Sequence, residues 1–398
     1  MTDNMDQLDT AIDRVLSYQP ERKNTVLKKK PINQKVEQKH VRKKELVALS
    51  LFSGGGGLDL GFSAADFRVA CSTDIDTFSC KTLELNKGRK PFYKHAHSIA
   101  ADIKEVSAKT LLKEANISRG EIDIVLGGPP CQAFSVFGRR KGLNDPRGGL
   151  VWEYLKIIQE VKPKAFVFEN VAGIKSIHGG DLFKEILEEL TLGGTYTVSA
   201  HSYQVAEFGI PQFRDRVFII GARNGVIVPP MIPSHGGKTL LATKKYRTAK
   251  EALRFLPEPD ENSTVTNHIG RSHSKRIVTR YDNLEFGERD PKTRINRLHP
   301  DNPSFTIIVG SDKGGGKGHV HPFDPREVTP RESARMQTFP DWWQFHGTGR
   351  HVIRQVGNAV PPLFAALLAE HVRVHVFGET KRRSYDDFIE IMGLDYLK

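Results

Sequence analysis

Leu46-Val47-Ala48-Leu49-Ser50-Leu51-Phe52-Ser53-Gly54-Gly55-Gly56-Gly57 is the stretch on which the fold turns. Residues 46–52 form a short apolar run that reads as a strand, and the glycines after it let the chain turn tightly into a helix. Strand, glycine turn, helix, second strand and then an acid is the order in which doubly wound α/β folds hold a ribose-bearing ligand. Asp74 supplies the acid. It follows a second apolar run at 67–72 and lies about 20 residues beyond the glycines, where a carboxylate can accept from ribose hydroxyls. The glycines lack the GxGxxG spacing of a dinucleotide fingerprint, which favours S-adenosylmethionine, with no phosphate to cradle, over NAD. A second glycine cluster, Gly314-Gly315-Gly316-Lys317, fails as a phosphate loop because no Ser or Thr follows the lysine.

Outward from this stretch, short apolar runs alternate with amphipathic segments, as in a parallel sheet wrapped by helices. Further strands are expected at 122–126, 165–168 and 217–220, with a helix at 150–161. Residues 45–223 therefore read as one α/β domain. Beyond Arg223 the composition shifts to Pro229-Pro230, His235-Gly236-Gly237 and scattered Arg, Lys and His, so 224–345 reads as a smaller, irregular, basic domain. Residues 346–398 form a C-terminal segment in which 361–374 has helical apolar spacing and is expected to return onto the first domain. At the other end, residues 1–44 are polar and basic, with Lys28-Lys29-Lys30 and Arg42-Lys43-Lys44, and read as a disordered, solvated arm, with non-specific contact to DNA phosphates as the alternative.

The chain of 398 residues carries a formal charge of +12, from 59 Lys and Arg against 47 Asp and Glu, which favours a polyanionic partner. No uninterrupted apolar run reaches the roughly 20 residues that cross a bilayer, so a cytoplasmic, nucleoid-associated protein without membrane contact is expected. Three cysteines at irregular spacing, Cys71, Cys80 and Cys131, indicate neither a disulfide framework nor a metal site. Cys131 differs from the other two in its setting. It ends Gly127-Gly128-Pro129-Pro130-Cys131-Gln132, directly after the strand 122–126. Loops at the carboxyl ends of strands line the ligand crevice of such sheets, and two prolines stiffen the backbone that presents this thiol.

Taken in order, the motifs resemble those of the bacterial cytosine C5 DNA methyltransferases of restriction and modification systems. They are the glycine stretch through Leu58-Asp59, Asp102-Ile103, Pro129-Pro130-Cys131-Gln132, Glu169-Asn170-Val171, Gln212-Phe213-Arg214-Asp215-Arg216, Arg331-Glu332-Ser333-Ala334-Arg335 and Gln355-Val356-Gly357-Asn358-Ala359. The resemblance implies a Rossmann-like methyltransferase domain using S-adenosylmethionine, joined to a target recognition domain at 224–345. It implies Cys131 as the nucleophile on a flipped cytosine, Glu169 at N3, Arg216 at O2 and Arg214 in support. It places Phe52, Gly54, Gly56, Asp74, Ile75, Asp102, Pro130, Leu150 and Asn358 around the cofactor, with Ile75 against the adenine where many relatives carry a larger side chain. Gln132, Ser135 and Arg147 would meet DNA from the loop after the nucleophile.

In the recognition region His268, Arg271, His273, Lys275, Arg276, Arg280, Arg294 and Arg297 offer donors for phosphates and guanine edges. Double-stranded DNA is the expected partner of a monomer, with a restriction endonuclease as functional companion. Two alternatives stand beside this reading. One is a tRNA cytosine C5 methyltransferase, although the Cys-Phe-Thr tripeptide usual in such relatives is absent. The other is a catalytically silent DNA-binding protein on the same scaffold.

Overall fold

The computed structural model describes residues 45–93, 97–130, 149–237, 242, 244–260, 263–307, 309 and 318–398. The basic arm 1–44 lies outside them. Seven strands form one sheet: β1 (Leu46–Leu51), β2 (Phe67–Asp74), β3 (His97–Ala100), β4 (Ile124–Gly127), β5 (Ala165–Val171), β6 (Thr197–Gln204) and β7 (Asp215–Ala222). Their spatial order is β3-β2-β1-β4-β5-β7-β6. The first five are parallel, and the order reverses between β1 and β4, so a crevice opens at the carboxyl ends there.

Side chains alternate across this sheet as the two-residue period requires. Val47, Leu49 and Leu51 of β1, Phe166 and Phe168 of β5, and Val217 and Ile219 of β7 enter one core layer. Ala48, Ala165, Val167, Phe218 and Ile220 enter the other. The first layer is closed by α3 (Ala108–Glu114), α4 (Leu150–Val161) and α5 (Asp181–Leu190), after α1 (Gly57–Ala64) and α2 (Thr77–Asn86) in chain order. In α4, Val151, Leu155 and Ile158 recur at helical spacing and are fully buried, which stabilises by about 1.5–3 kcal/mol for each side chain.

The opposite layer joins α1 to the C-terminal segment. After α6 (Ala249–Leu253), α7 (Lys275–Asp282) and α8 (Pro330–Met336) come α9 (Gly349–Asn358), α10 (Pro362–Phe377) and α11 (Tyr385–Met392). A side chain at Gly61 of α1 would collide with Ala365 and the Pro362 carbonyl, so α1 and α10 touch along their backbones. By length and composition Gly349–Phe377 could cross a membrane, but its most apolar part is 83% buried inside the protein.

One expectation needs correction. The sheet is not wholly parallel: β7 runs antiparallel to both β5 and β6. The link from β6 to β7 holds only a single-turn 3-10 helix, Val205–Phe208, and a parallel return needs a longer crossover. The strands β3 and β6 were not anticipated. β3 has four residues, and β6 at the sheet edge reads Thr-Val-Ser-Ala-His-Ser-Tyr-Gln, with too few apolar positions to announce itself.

Candidate active site

At the carboxyl end of β1 the chain enters its glycine turn in left-handed conformation at Phe52 (φ 55°), Gly54 (φ 52°) and Gly56 (φ 82°). A phenylalanine in that region is uncommon and strained. Nothing lies within 4 Å of where a Gly54 Cβ would stand, so the turn borders open space. Asp74 ends β2 beside it. Its Oδ2 accepts from the Gly54 amide and its Oδ1 from the Asp76 amide, each at 2.8 Å. Burial raises the Asp74 carboxyl above its ordinary value, and those two amide bonds oppose the rise.

Next to Asp74, Ile75 is 70% exposed, an apolar side chain held out at the rim. Asp102 is half-buried and accepts from the Lys104 amide at 3.0 Å through Oδ1. Leu150 is half-buried at the start of α4, while Pro130 and Asn358 are exposed. Asn358 ends α9, whose Gln355 lies over Gly55.

On the other side of the switch point, Glu169 of β5 is 9% exposed, and its Oε1 meets Arg216 Nε of β7 at 3.0 Å. Arg216 stands opposite Val171, and its side chain reaches diagonally along one face of the strand pair to Glu169. Arg214 precedes β7 and is 1% exposed; its guanidinium donates to the carbonyls of Gly357 at 2.9 Å and Asn358 at 3.4 Å. These carbonyls end α9, the negative pole of the helix. Burial first, then the neighbouring Arg216, lowers Arg214 to about 9, so it keeps its charge at neutral pH. Burial likewise raises Glu169, against the pull of Arg216 and Arg214.

The arm that leads to Cys131 touches this group. Asn170 Nδ2 donates to the Pro129 carbonyl at 2.9 Å, while Asn170 Oδ1 accepts from the Val171 amide. A Cβ at Gly128 would stand 2.8 Å from Glu169 Oε2, so a side chain there would displace the carboxyl that the arm lies against. Cys131 itself, with Gln132, Ser135 and Arg147, lies outside the described residues. Asn170 and Gly128 had no assigned role in the sequence reading. Their contacts join residues about 40 positions apart, which no local spacing discloses.

The recognition region corrects a second expectation. Several of its proposed DNA donors are engaged inside the protein. His268 is fully buried between Thr329 Oγ1 and the Pro257 carbonyl. Arg280 pairs with buried Asp290 at 2.6 Å. Arg297 donates to the carbonyls of Asp282 and Leu284 at 2.9 Å. Arg271 is paired with Glu327 but remains exposed, and His273 accepts from the Glu327 amide. Lys275, Arg276 and Arg294 stand exposed.

An acid and two guanidinium groups gathered beside the Pro-Pro arm, across a switch point from a glycine turn, accompany a family match spanning residues 46–373 to the C-5 cytosine-specific DNA methylase model. The chain belongs to this family. It is a DNA cytosine C5 methyltransferase. It is 31% identical over 357 residues to the type II methyltransferase M.XorII of Xanthomonas oryzae, covering 80% of this chain and 82% of that protein. It is 35% identical over 352 residues to M.BbvI of Brevibacillus brevis, covering 81% and 89%. Among solved structures it is similar to a DNA modification methyltransferase encoded within an E. coli prophage, with TM-score 0.66 and 26% identity, covering 84% of this chain and all of that one. The Dnmt2 methyltransferase of S. pombe shares the fold at TM-score 0.55 and 17% identity, over 82% of this chain and 98% of its own.

Proposed function

We propose that this methyltransferase modifies a cytosine swung out of duplex DNA, with Cys131 as nucleophile and S-adenosylmethionine as methyl donor. Support for the cofactor comes from the open glycine turn at Gly54, the carboxylate of Asp74 beside it and the exposed apolar Ile75. When bound, S-adenosylmethionine supplies an electrophilic methyl group. Phe52, Gly54, Gly56, Asp102, Pro130, Leu150 and Asn358 complete the pocket, and the lone pairs that Asp74 has left after its two amide bonds take the ribose hydroxyls.

Cytosine C5 is a weak nucleophile, and a thiolate adding at C6 turns it into an enamine-like carbon. The Cys131 sulfur forms a bond to C6 while ring electrons move toward N3. Glu169 hydrogen-bonds or protonates N3, and Arg216, which cannot act as a base, donates to O2. Arg214 holds the cluster against α9. After C5 is methylated, loss of its proton to a water restores the C5–C6 double bond and expels Cys131 as the thiolate. The base leaves the helix because neither face of a stacked cytosine is accessible. Gln132, Ser135 and Arg147 meet the DNA, while residues 224–345, with exposed Arg271, Lys275, Arg276 and Arg294, form the recognition domain.

The single observation that carries this reading is the ion pair of buried Glu169 with half-buried Arg216, the Glu169 carboxylate lying against Gly128. We further read the protein as a cytoplasmic monomer that protects bacterial DNA from a companion endonuclease, as the type II names of its relatives suggest. Methyl transfer to duplex DNA and to tRNA, followed by bisulfite sequencing of a modified plasmid, tests the substrate. Methylation confined to one short duplex sequence is expected. Methylation of tRNA alone would overturn the reading.

A further inference from the structure

Asp59 lies in the first turn of α1 and has no contact with solvent. Its Oδ1 accepts from Ser50 Oγ at 2.5 Å and its Oδ2 from Ser72 Oγ at 2.6 Å. Ser50 belongs to β1 and Ser72 to β2, and both are buried. Each serine stands two residues before a group in the proposed cofactor pocket, Ser50 before Phe52 and Ser72 before Asp74. The network continues upward. Ser53 Oγ donates to Ser50 Oγ at 2.9 Å, and the Ser53 amide donates to the Thr73 carbonyl at 3.1 Å. One carboxylate therefore binds together the two strand ends and the helix start that enclose the glycine turn.

A buried carboxylate is a costly filler, because leaving water disfavours its charged form. Burial pushes Asp59 up to about 6 despite both hydroxyl bonds, so the group is charged at neutral pH only against that cost. Packing alone would be served better by a neutral side chain of the same size. What the charge adds is two short charge-assisted bonds, stronger and more directional than neutral ones, at a place where the backbone is held in a strained left-handed turn.

We propose that Asp59 is a positioning residue for cofactor binding, holding Phe52 and Asp74 at their working separation through Ser50 and Ser72. The proposal rests on the S-adenosylmethionine reading given above. Asp59 does not touch the reacting atoms, and it acts on the cofactor side of the crevice alone. Glu169, Arg216 and the recognition region are built on other elements, and substitution of Asp59 leaves them in place.

Asp59→Asn keeps the volume and removes the charge. Calorimetric titration of the full chain with S-adenosylmethionine should show its Kd raised about tenfold or more, the effect of losing hydrogen bonds to a charged group. The KM for S-adenosylmethionine should rise in parallel. At saturating cofactor kcat should stay near wild type, as should the Kd for duplex DNA, and Tm above pH 6 should be equal or higher. Ser72→Ala, a milder change, should shift Kd in the same direction by less. Wild-type cofactor affinity in both variants would overturn the role of Asp59. So would a joint loss of cofactor affinity, DNA affinity and Tm in Asp59→Asn together with unchanged affinity in Ser72→Ala, the pattern of a merely structural residue. A wild-type protein that fails to bind S-adenosylmethionine would overturn the cofactor reading itself.

Discussion

The two halves of the crevice are built from opposite charges. On the β1–β2–β3 side the polar groups are mostly carboxylates, Asp59, Asp74, Asp76 and Asp102, held by hydroxyls and backbone amides, with Arg354 of α9 paired to Asp76 at 3.1 Å. On the β4–β5–β7 side they are a single acid and two guanidinium groups, Glu169, Arg214 and Arg216. An acidic wall suits a ligand that is cationic and rich in hydroxyls. A cationic wall suits a phosphate-bearing substrate whose ring gains electron density toward O2 and N3. One fold hosts both because the switch point lets each wall descend from different strands, while α9 touches both, through Arg214 on one side and Arg354 on the other.

Substitutions on the two walls should therefore separate cleanly, and the largest effects belong to the cationic side. Glu169→Gln should lower kcat by about 10²–10⁴-fold, the usual worth of a positioned acid, while calorimetry finds cofactor affinity unchanged. The wild type should also show a pH limb. Because burial raises Glu169, its acid form survives to higher pH than an ordinary carboxyl would, and kcat should fall as pH climbs through that raised value. The glutamine variant should lack this limb. Arg216→Ala should cost about 10²–10³ in kcat, as for removal of one donor to a developing negative charge, again without change in cofactor Kd. A large rise in cofactor Kd from either variant would show that the walls are not independent.

Asn170→Ala probes the join between the cationic wall and the Pro129-Pro130 arm. Loss of its bond to the Pro129 carbonyl should reduce kcat about tenfold, the worth of one well-placed hydrogen bond at a working site, measured at saturating DNA and cofactor. The smallest effect on turnover is expected from Asp59→Asn, where saturating cofactor hides the defect, and its stability signature is distinctive. The Asp59 carboxyl titrates near 6 when folded and near 3.8 when unfolded, so the native state holds the extra proton between those values. Its stability contribution is greatest below pH 3.8 and is lost as pH rises through 6, reaching a cost of about 3 kcal/mol at neutral pH by linkage. Denaturant titrations from pH 4 to 8 should show a shallower decline with pH in Asp59→Asn than in the wild type.

The acidic wall was the more legible of the two in the sequence. Its strand, glycines and Asp74 lie within 29 residues, and strand and helix periods locate such local patterns. The helix read at 150–161 coincides with α4. The cationic wall was legible chiefly as a resemblance. The Glu169–Arg216 pair needs two strands whose antiparallel register is set by the sheet, and residue types in one dimension do not reveal it. Asp59 belongs to the glycine motif, yet its partner Ser72 lies on a neighbouring strand. The recognition region was least legible. An arginine in a basic sequence looks alike whether it faces DNA or, like Arg297, holds two carbonyls of its own chain.

The proposed mechanism centres on a bond between Cys131 and C6 of cytosine. A duplex carrying 5-fluorocytosine at the methylated position tests for it directly, because fluorine cannot leave as a cation and the final elimination is blocked. Incubated with S-adenosylmethionine, the wild-type protein should form a complex with this duplex that survives denaturing electrophoresis, and Cys131→Ala should form none while still binding cofactor. A denaturation-resistant complex with Cys131→Ala, or methylation of ordinary DNA by that variant, would contradict the account.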